Sequence, residues 1–211
     1  HSAVLAEANE DYASVLADAD LVLPDGMPVA WVLRRRGFPK QPRIGGPDLM
    51  WACCEDMESN EQGLFLYGST EETLDKLVSN LSACFPALKI TGAISPPFRE
   101  LDDHEESVIV DQINKSGANA VFVALGCPRQ EAWMNRHRRD IHAVMFGFGA
   151  AFDFHAGTVK RAPEWMRDSG LEWLHRLFSE PGRLWRRYLV TNSRFILSVF
   201  LSALRGSRTG Y

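Results

Sequence analysis

Residues 120–152 read AVFVALGCPRQEAWMNRHRRDIHAVMFGFGAAF, and this stretch decides the fold. A short apolar run, Ala120 to Ala124, stops at Gly126-Cys127-Pro128. A helical segment follows Pro128, and a second apolar run, Ala143 to Phe146, stops at Gly147. Strand, helix, strand is the pattern of a parallel crossover, because a tight turn can join only antiparallel strands. The same alternation extends upstream. Leu64 to Tyr67 reads as a strand leading into Gly68-Ser69, where Ser69 and Glu72 match a capping box ahead of the helically spaced Leu74, Leu77, Val78 and Leu81. A strand is expected at Leu88 to Thr91, and then a helix carrying Ile109, Val110 and Ile113.

Nearer the start, Val4, Leu5, Ala8, Tyr12, Val15 and Leu16 recur at helical spacing. The run Leu21-Val22-Leu23 is expected to be a strand ending at Pro24-Asp25-Gly26. A helix over Val29 to Arg36 follows, then a Gly45-Gly46-Pro47 turn in which Pro47 opens a helix near Leu49 to Met57. Strands alternating with helices predict an α/β fold, a Rossmann-like parallel sheet with helices on both faces. It occupies residues 1–180. After about residue 160 the strand signal stops, and residues 181–211 read as a C-terminal helical appendage that is basic and aromatic. The chain opens at His1 inside a helical pattern, so a preceding N-terminal segment is expected.

Composition narrows the class. With 45% hydrophobic and 24% charged residues, the 211-residue chain reads as a soluble globular protein. Its formal charge is −4, but residues 181–211 hold six arginines and no acidic residue, leaving 27 acidic against 17 basic residues before them. The longest apolar stretch, Phe195 to Leu204, is about half the roughly 20 residues a membrane span requires. No secretory signal is visible. Cys53, Cys54, Cys84 and Cys127 show neither zinc spacing nor a disulfide framework, which fits a reducing, cytoplasmic setting. His137 and His142, the nearest histidine pair, do not share a helical face. No metal site and no cofactor are expected.

In open α/β sheets, ligands bind outside the carboxyl ends of the strands, so Asp25, Gly68, Gly126 and Gly147 are informative positions. Asp25 in its Pro-Asp-Gly turn is a candidate general base, although Asp before Gly is also ordinary turn chemistry. Ser69 to Glu72 and Gly126 to Gln130 each place a strand end against a helix N-terminus, which favours phosphate; Arg129 and Gln130 add donors there. A capped loop accounts for the same residues. Gly147-Phe148-Gly149-Ala150-Ala151-Phe152 imitates a dinucleotide fingerprint but has Phe152 in place of the third small residue. Asp18-Ala19-Asp20 imitates a metal-binding pair but precedes its strand. Over 153–188, Asp153, His155, Lys160, Arg161, Glu172, Arg176, Arg183, Arg186 and Arg187 alternate with Trp165, Trp173 and Trp185. Arginine meets phosphate bidentately and tryptophan suits a lipid interface, so lipid-phosphate contact fits better than nucleic acid.

Taken together, "ADLVLPDGMPVAW", "RIGGPDL", "ALGCPRQEAW", "GFGAAFDFHAGTVKRAPEWM" and "LEWLHRLFSEPGRLWRRYL" closely resemble the WecG/TagA/CpsF glycosyltransferases of bacteria. The resemblance covers nearly the whole chain. It implies transfer of an N-acetylmannosamine-type sugar from a UDP-sugar donor to an undecaprenyl-diphosphate-linked amino sugar, with inversion and without metal. It implies Asp25 as the catalytic base, with Arg43 and Gln130 lining the same pocket; Gly126 and Arg129, from their place between strand and helix, and Asp153, from the segment after the last strand, complete the expected substrate-binding residues. Arg176, Arg183, Arg186 and Arg187 would touch the polyprenyl-diphosphate acceptor or an anionic membrane, with the protein attached peripherally to the inner face of the cell membrane. The apolar terminal helix would be buried on its own domain, in lipid or in a homo-oligomer. Two departures stand out. A Thr/Asn-containing family motif falls ahead of His1, and Ser95-Pro96-Pro97-Phe98 replaces a common Gly-Tyr-Phe, pointing to another acceptor or sugar. The alternatives are a non-catalytic nucleotide-sugar or lipid-phosphate binding module of the same fold and a phosphate-binding hydrolase.

Overall fold

The structure, a computed structural model, describes residues 1–179 together with Gly182, Trp185 and Phe195. In chain order the elements are α1 (Ser2–Ala8), α2 (Glu10–Ala17), α3 (Met27–Arg35), α4 (Gly46–Ser59), β1 (Gly63–Gly68), α5 (Glu71–Cys84) and β2 (Lys89–Ile94). These are followed by α6 (Asp103–Lys115), β3 (Ala120–Ala124), α7 (Arg129–His137), β4 (Val144–Gly147), α8 (Ala151–His155), α9 (Glu164–Asp168) and α10 (Glu172–Ser179). The described residues form two compact units, Gly45–Lys160 and, separately, His1–Ile44 with the described residues from Arg161 onward.

The 45–160 unit is a Rossmann-like α/β layer. Its four strands are all parallel, in the order β2-β1-β3-β4. Every residue of β1 and β3 is buried, which explains why these strands read as continuous apolar runs and not as alternating ones. Successive side chains nevertheless point to opposite faces, and each face has its own core. Leu64, Leu66, Phe122 and Ala124 pack with Met50 and Cys54 of α4, Leu77 and Leu81 of α5 and Phe152 of α8. Phe65, Tyr67, Val121 and Val123 pack with Ile109 and Ile113 of α6 and Trp133 of α7. Burying each such large side chain contributes about 1.5–3 kcal/mol, so the central strand pair anchors both cores.

One local expectation changes. Thr70 caps α5, its hydroxyl accepting from the Thr73 amide at 3.2 Å, while Ser69 sits at φ 62° in the turn before it. Conversely, α6 carries a complete capping box, Asp102 with Glu105. At α5 the capping oxygen is one residue later than expected.

In the other unit, α1 and α2 pack together with Val4 and Tyr12 buried, and Asn9 caps α2 through its side chain, accepting from the Tyr12 amide at 3.0 Å. The expected strand at Leu21-Val22-Leu23 does not form. A strand exists only through its partner, and Leu21 and Val22 are 74% and 58% exposed. Pro24 lacks an amide and Asp25 N donates back to the Leu23 carbonyl at 3.1 Å, a turn that competes with pairing. Among the described residues, no helix is long and apolar enough to cross a membrane. The expected appendage, 181–211, lies almost wholly outside the described residues.

Candidate functional site

Asp25 follows an irregular segment, and its place is set by Arg43. The Arg43 Nε donates to the Asp25 main-chain oxygen at 2.6 Å, and Ile44 N donates to the Pro24 oxygen at 3.0 Å, so residues 24–44 form a chain excursion closed at its base. The guanidinium continues to Glu172 of α10, Nη2 donating to Oε2 at 2.5 Å, and lies 3.6 Å from the Asp25 carboxylate. Arg161 Nε approaches the same Glu172 carboxylate at 3.9 Å. Arg43 and Glu172 are each only 15% exposed, whereas the Asp25 side chain is 71% exposed. A planar guanidinium can hold a main-chain oxygen and a carboxylate at once, which an ammonium cannot do with fixed geometry. The result is a rigid cation beside an accessible carboxylate. Glu172 is the member of this network whose role the sequence did not disclose.

In the sheet unit, the strand order reverses between β1 and β3, the switch point where open α/β sheets leave a crevice. The loops there are tied together: Ser69 N donates to the Ala124 oxygen at 2.9 Å, and Phe148 N donates to the Val123 oxygen at 2.9 Å. The helices that follow the two switch-point strands, α5 after β1 and α7 after β3, differ. At α5, Thr70 already caps and Glu71 and Glu72 already offset the helix dipole, so an anion is disfavoured. At α7 there is no side-chain cap, the first turn holds one acid, Glu131, which accepts from Gln130 Nε2, and Arg129 stands exposed at the first position. Gly126, at φ 80°, has open space where a Cβ would stand. Of the two phosphate candidates read from sequence, only Gly126 to Gln130 keeps the features that suit an anion.

Gln130 explains the glycines that imitate a dinucleotide fingerprint. It is 93% buried by its 7% exposure, and a Cβ on Gly147 would come within 3.0 Å of its Nε2, one on Gly149 within 3.1 Å of its Oε1. The glycines make room for an amide. Its Nε2 donates to Glu131 Oε1 at 3.1 Å, while Oε1 has no hydrogen-bond partner. Beneath this end of the sheet Tyr67 packs on Trp133, ring centroids 4.5 Å apart; burial, reinforced by Glu106 and opposed by Arg129, pushes its phenol up to about 12.

Asp153 lies half-buried in α8, where its main-chain oxygen accepts from Thr158 Oγ1 at 3.0 Å. His155, on the same helix, stacks on Trp51 at 4.5 Å and meets the Pro47 oxygen at 2.8 Å, a packing role. Arg176 is half-buried in α10. Arg183, Arg186 and Arg187 lie outside the described residues. A cleft of about 510 Å³, lined by Cys53, Asp56, Gln62, Asn119 and Val144, opens at the amino ends of β3 and β4 and so lies away from the strand ends just described. The structure thus brings Asp25 to Arg43 in one unit, and Gly126, Arg129 and Gln130 together in the other.

A model of the Glycosyl transferase WecG/TagA/CpsF family matches residues 1–209. The chain is 35% identical over 182 residues to an N-acetylglucosaminyldiphosphoundecaprenol N-acetyl-beta-D-mannosaminyltransferase of Bacillus spizizenii strain W23, covering 86% of this chain and 68% of that protein. A protein of the same description from Bacillus subtilis strain 168 is 34% identical over 182 residues, covering 86% and 69%. Matched from its first helix to its basic end, the chain belongs to the WecG/TagA/CpsF family and is a glycosyltransferase.

Proposed function

We propose that this enzyme moves an N-acetylmannosamine-type sugar from a UDP-sugar to an undecaprenyl-diphosphate-linked amino sugar, with inversion, in cell-surface polysaccharide or teichoic acid synthesis at the inner face of the membrane. The observation that carries the mechanism is the clamp on Arg43, which leaves the Asp25 carboxylate exposed beside a fixed cation. In a single displacement the acceptor hydroxyl oxygen bonds to the anomeric carbon, the bond from that carbon to the UDP oxygen breaks, and the hydroxyl proton passes to Asp25. Charge gathers on the departing diphosphate, and arginine offsets such charge without a metal ion. Arg43 has that role in this reading, and Gly126, Arg129, Gln130 and Asp153 are donor contacts. Arg176, Arg183, Arg186 and Arg187 serve the acceptor side.

Asp25→Asn tests the base. The amide preserves shape but cannot take the proton, so UDP-sugar binding persists while transfer to a lipid-linked acceptor falls on the order of 10²–10⁴-fold. Turnover within about threefold of the unsubstituted enzyme rejects the role. Sugar release from UDP-sugar with no acceptor present would instead favour a hydrolase.

A further inference from the structure

The excursion between Asp25 and Arg43 carries a surface to which the proposed transfer step assigns no role. At its far end the chain reads Arg34-Arg35-Arg36-Gly37-Phe38-Pro39-Lys40, and all seven residues are exposed. Phe38 shows 59% of its surface. From Gly26 to Ile44 there is no acidic residue, although acidic residues outnumber basic ones in the chain as a whole. The turn is firmly built. Gly37 adopts φ 106°, Phe38 N donates to the Leu33 oxygen at 3.1 Å, Gln41 N donates to the Phe38 oxygen at 2.9 Å, and Arg34 Nε donates to the Gln41 oxygen at 2.8 Å. The phenyl ring is therefore held at an exposed tip among cations, where water is a poor solvent for it.

An anionic lipid surface satisfies both halves of this patch: phosphates meet the cations and the acyl boundary takes the ring. A nucleic-acid surface would meet only the cations, and the remaining acidity of the chain opposes it. We propose that Arg35, Phe38 and Lys40 form a membrane-docking turn for anionic phospholipid, distinct from the arginines of 181–211. The base of the same excursion is the Asp25–Arg43 clamp; α3, nine residues long, rises about 14 Å from that base toward Arg35, and the chain returns from Lys40 to Arg43 in three residues. Docking the tip keeps Asp25 within about one helix length of the headgroups, near a sugar carried on a lipid diphosphate. This positional consequence rests on the acceptor proposed above; membrane docking itself does not.

The test uses the full chain, without donor or acceptor, in co-sedimentation with mixed phosphatidylglycerol–phosphatidylcholine vesicles and with pure phosphatidylcholine vesicles. Arg35→Gln/Lys40→Gln should weaken binding to the anionic vesicles about fivefold per cation, roughly twenty-five-fold together. Phe38→Ser should weaken it too, and Phe38→Trp should keep it. Melting temperature and UDP-sugar binding should not change in any of these, since Arg34, which braces the turn, is left in place. Unchanged sedimentation of the double variant, or equal sedimentation of the Ser and Trp variants, overturns the proposal; so does a matching loss of binding to a DNA duplex. Failure of the acceptor reading would show separately, as no transfer to a lipid-linked amino sugar by the unsubstituted enzyme while vesicle binding persists.

Discussion

Gly68 has the least latitude of any residue at the crevice. Its φ is 113°, and a Cβ there would stand 2.5 Å from the Ala124 oxygen, a backbone atom that cannot move aside. Gly68→Ala should therefore cost about 3 kcal/mol, read as a lower urea midpoint with unchanged slope; a cost under about 1 kcal/mol would show that the turn relaxes. Gly149→Ala combines φ 51° with a 3.1 Å approach to Gln130 Oε1, so it should displace that amide and weaken UDP-sugar binding. Calorimetric titration with UDP-sugar checks this, and unchanged affinity would remove Gln130 from the donor site. At this scale legibility follows sequence distance. Asp25 in Pro-Asp-Gly and Gln130 after a strand are visible because turn and capping chemistry is local. Glu172 is hidden because its guanidinium partner lies 129 residues away, and nothing local distinguishes it from a solvated helix acid. The pair Gly147 and Gly149 misleads for the same reason, since the side chain they accommodate belongs to another element.

Helix α6 shows how one element depends on pH. Asp102 accepts from the Glu105 amide at 2.8 Å, and Glu105 returns the bond by accepting from the Asp102 amide at 3.0 Å while binding Arg99. Arg99 and that amide hold the Glu105 carboxyl down at about 2, below its ordinary 4.5. A carboxyl lowered in the folded state contributes stability that is complete above 4.5 and fades as pH falls toward 2. Glu105→Gln should accordingly flatten the acid limb of the stability curve across that window while changing little of its shape near neutrality; an unchanged acid limb would mean the carboxyl is not held. Asp102→Ala, which removes the cap, should cost about 1 kcal/mol in chemical denaturation. Element type and order were legible from α4 to β4, because buried parallel strands are apolar runs and their covering helices keep a 3.6-residue period, whereas the five-residue α8 is too short to show a period. The failures are those where pairing decides. Leu21 to Leu23 has strand composition without a strand beside it, and the cap of α5 shifts from Ser69 to Thr70 because Gly68 and Ser69 both take positive φ.

Across the whole chain, charge is sorted by position: residues 1–180 are strongly acidic, and the remainder carries six arginines without an acidic residue. That asymmetry is plain in the sequence, whereas the basic turn at 34–40 straddles the end of the helix expected over Val29 to Arg36, and composition alone does not mark its exposure. Two attachments to one surface act through effective concentration, so losing either lowers binding by more than its own contacts suggest. Stopping the chain after Glu180 should therefore reduce sedimentation with anionic vesicles and transfer to a lipid-linked acceptor together. A residual sedimentation, carried by Arg35, Phe38 and Lys40, should remain and should fall further with added salt. The sheet unit is built entirely from residues 45–160, so its two cores lose nothing and melting should stay cooperative. If the terminal segment served instead to cover its own unit or a partner subunit, truncation would broaden or abolish that melting transition. Undiminished binding to anionic vesicles after truncation would remove residues 181–211 from the membrane contact and leave the 34–40 turn to account for it.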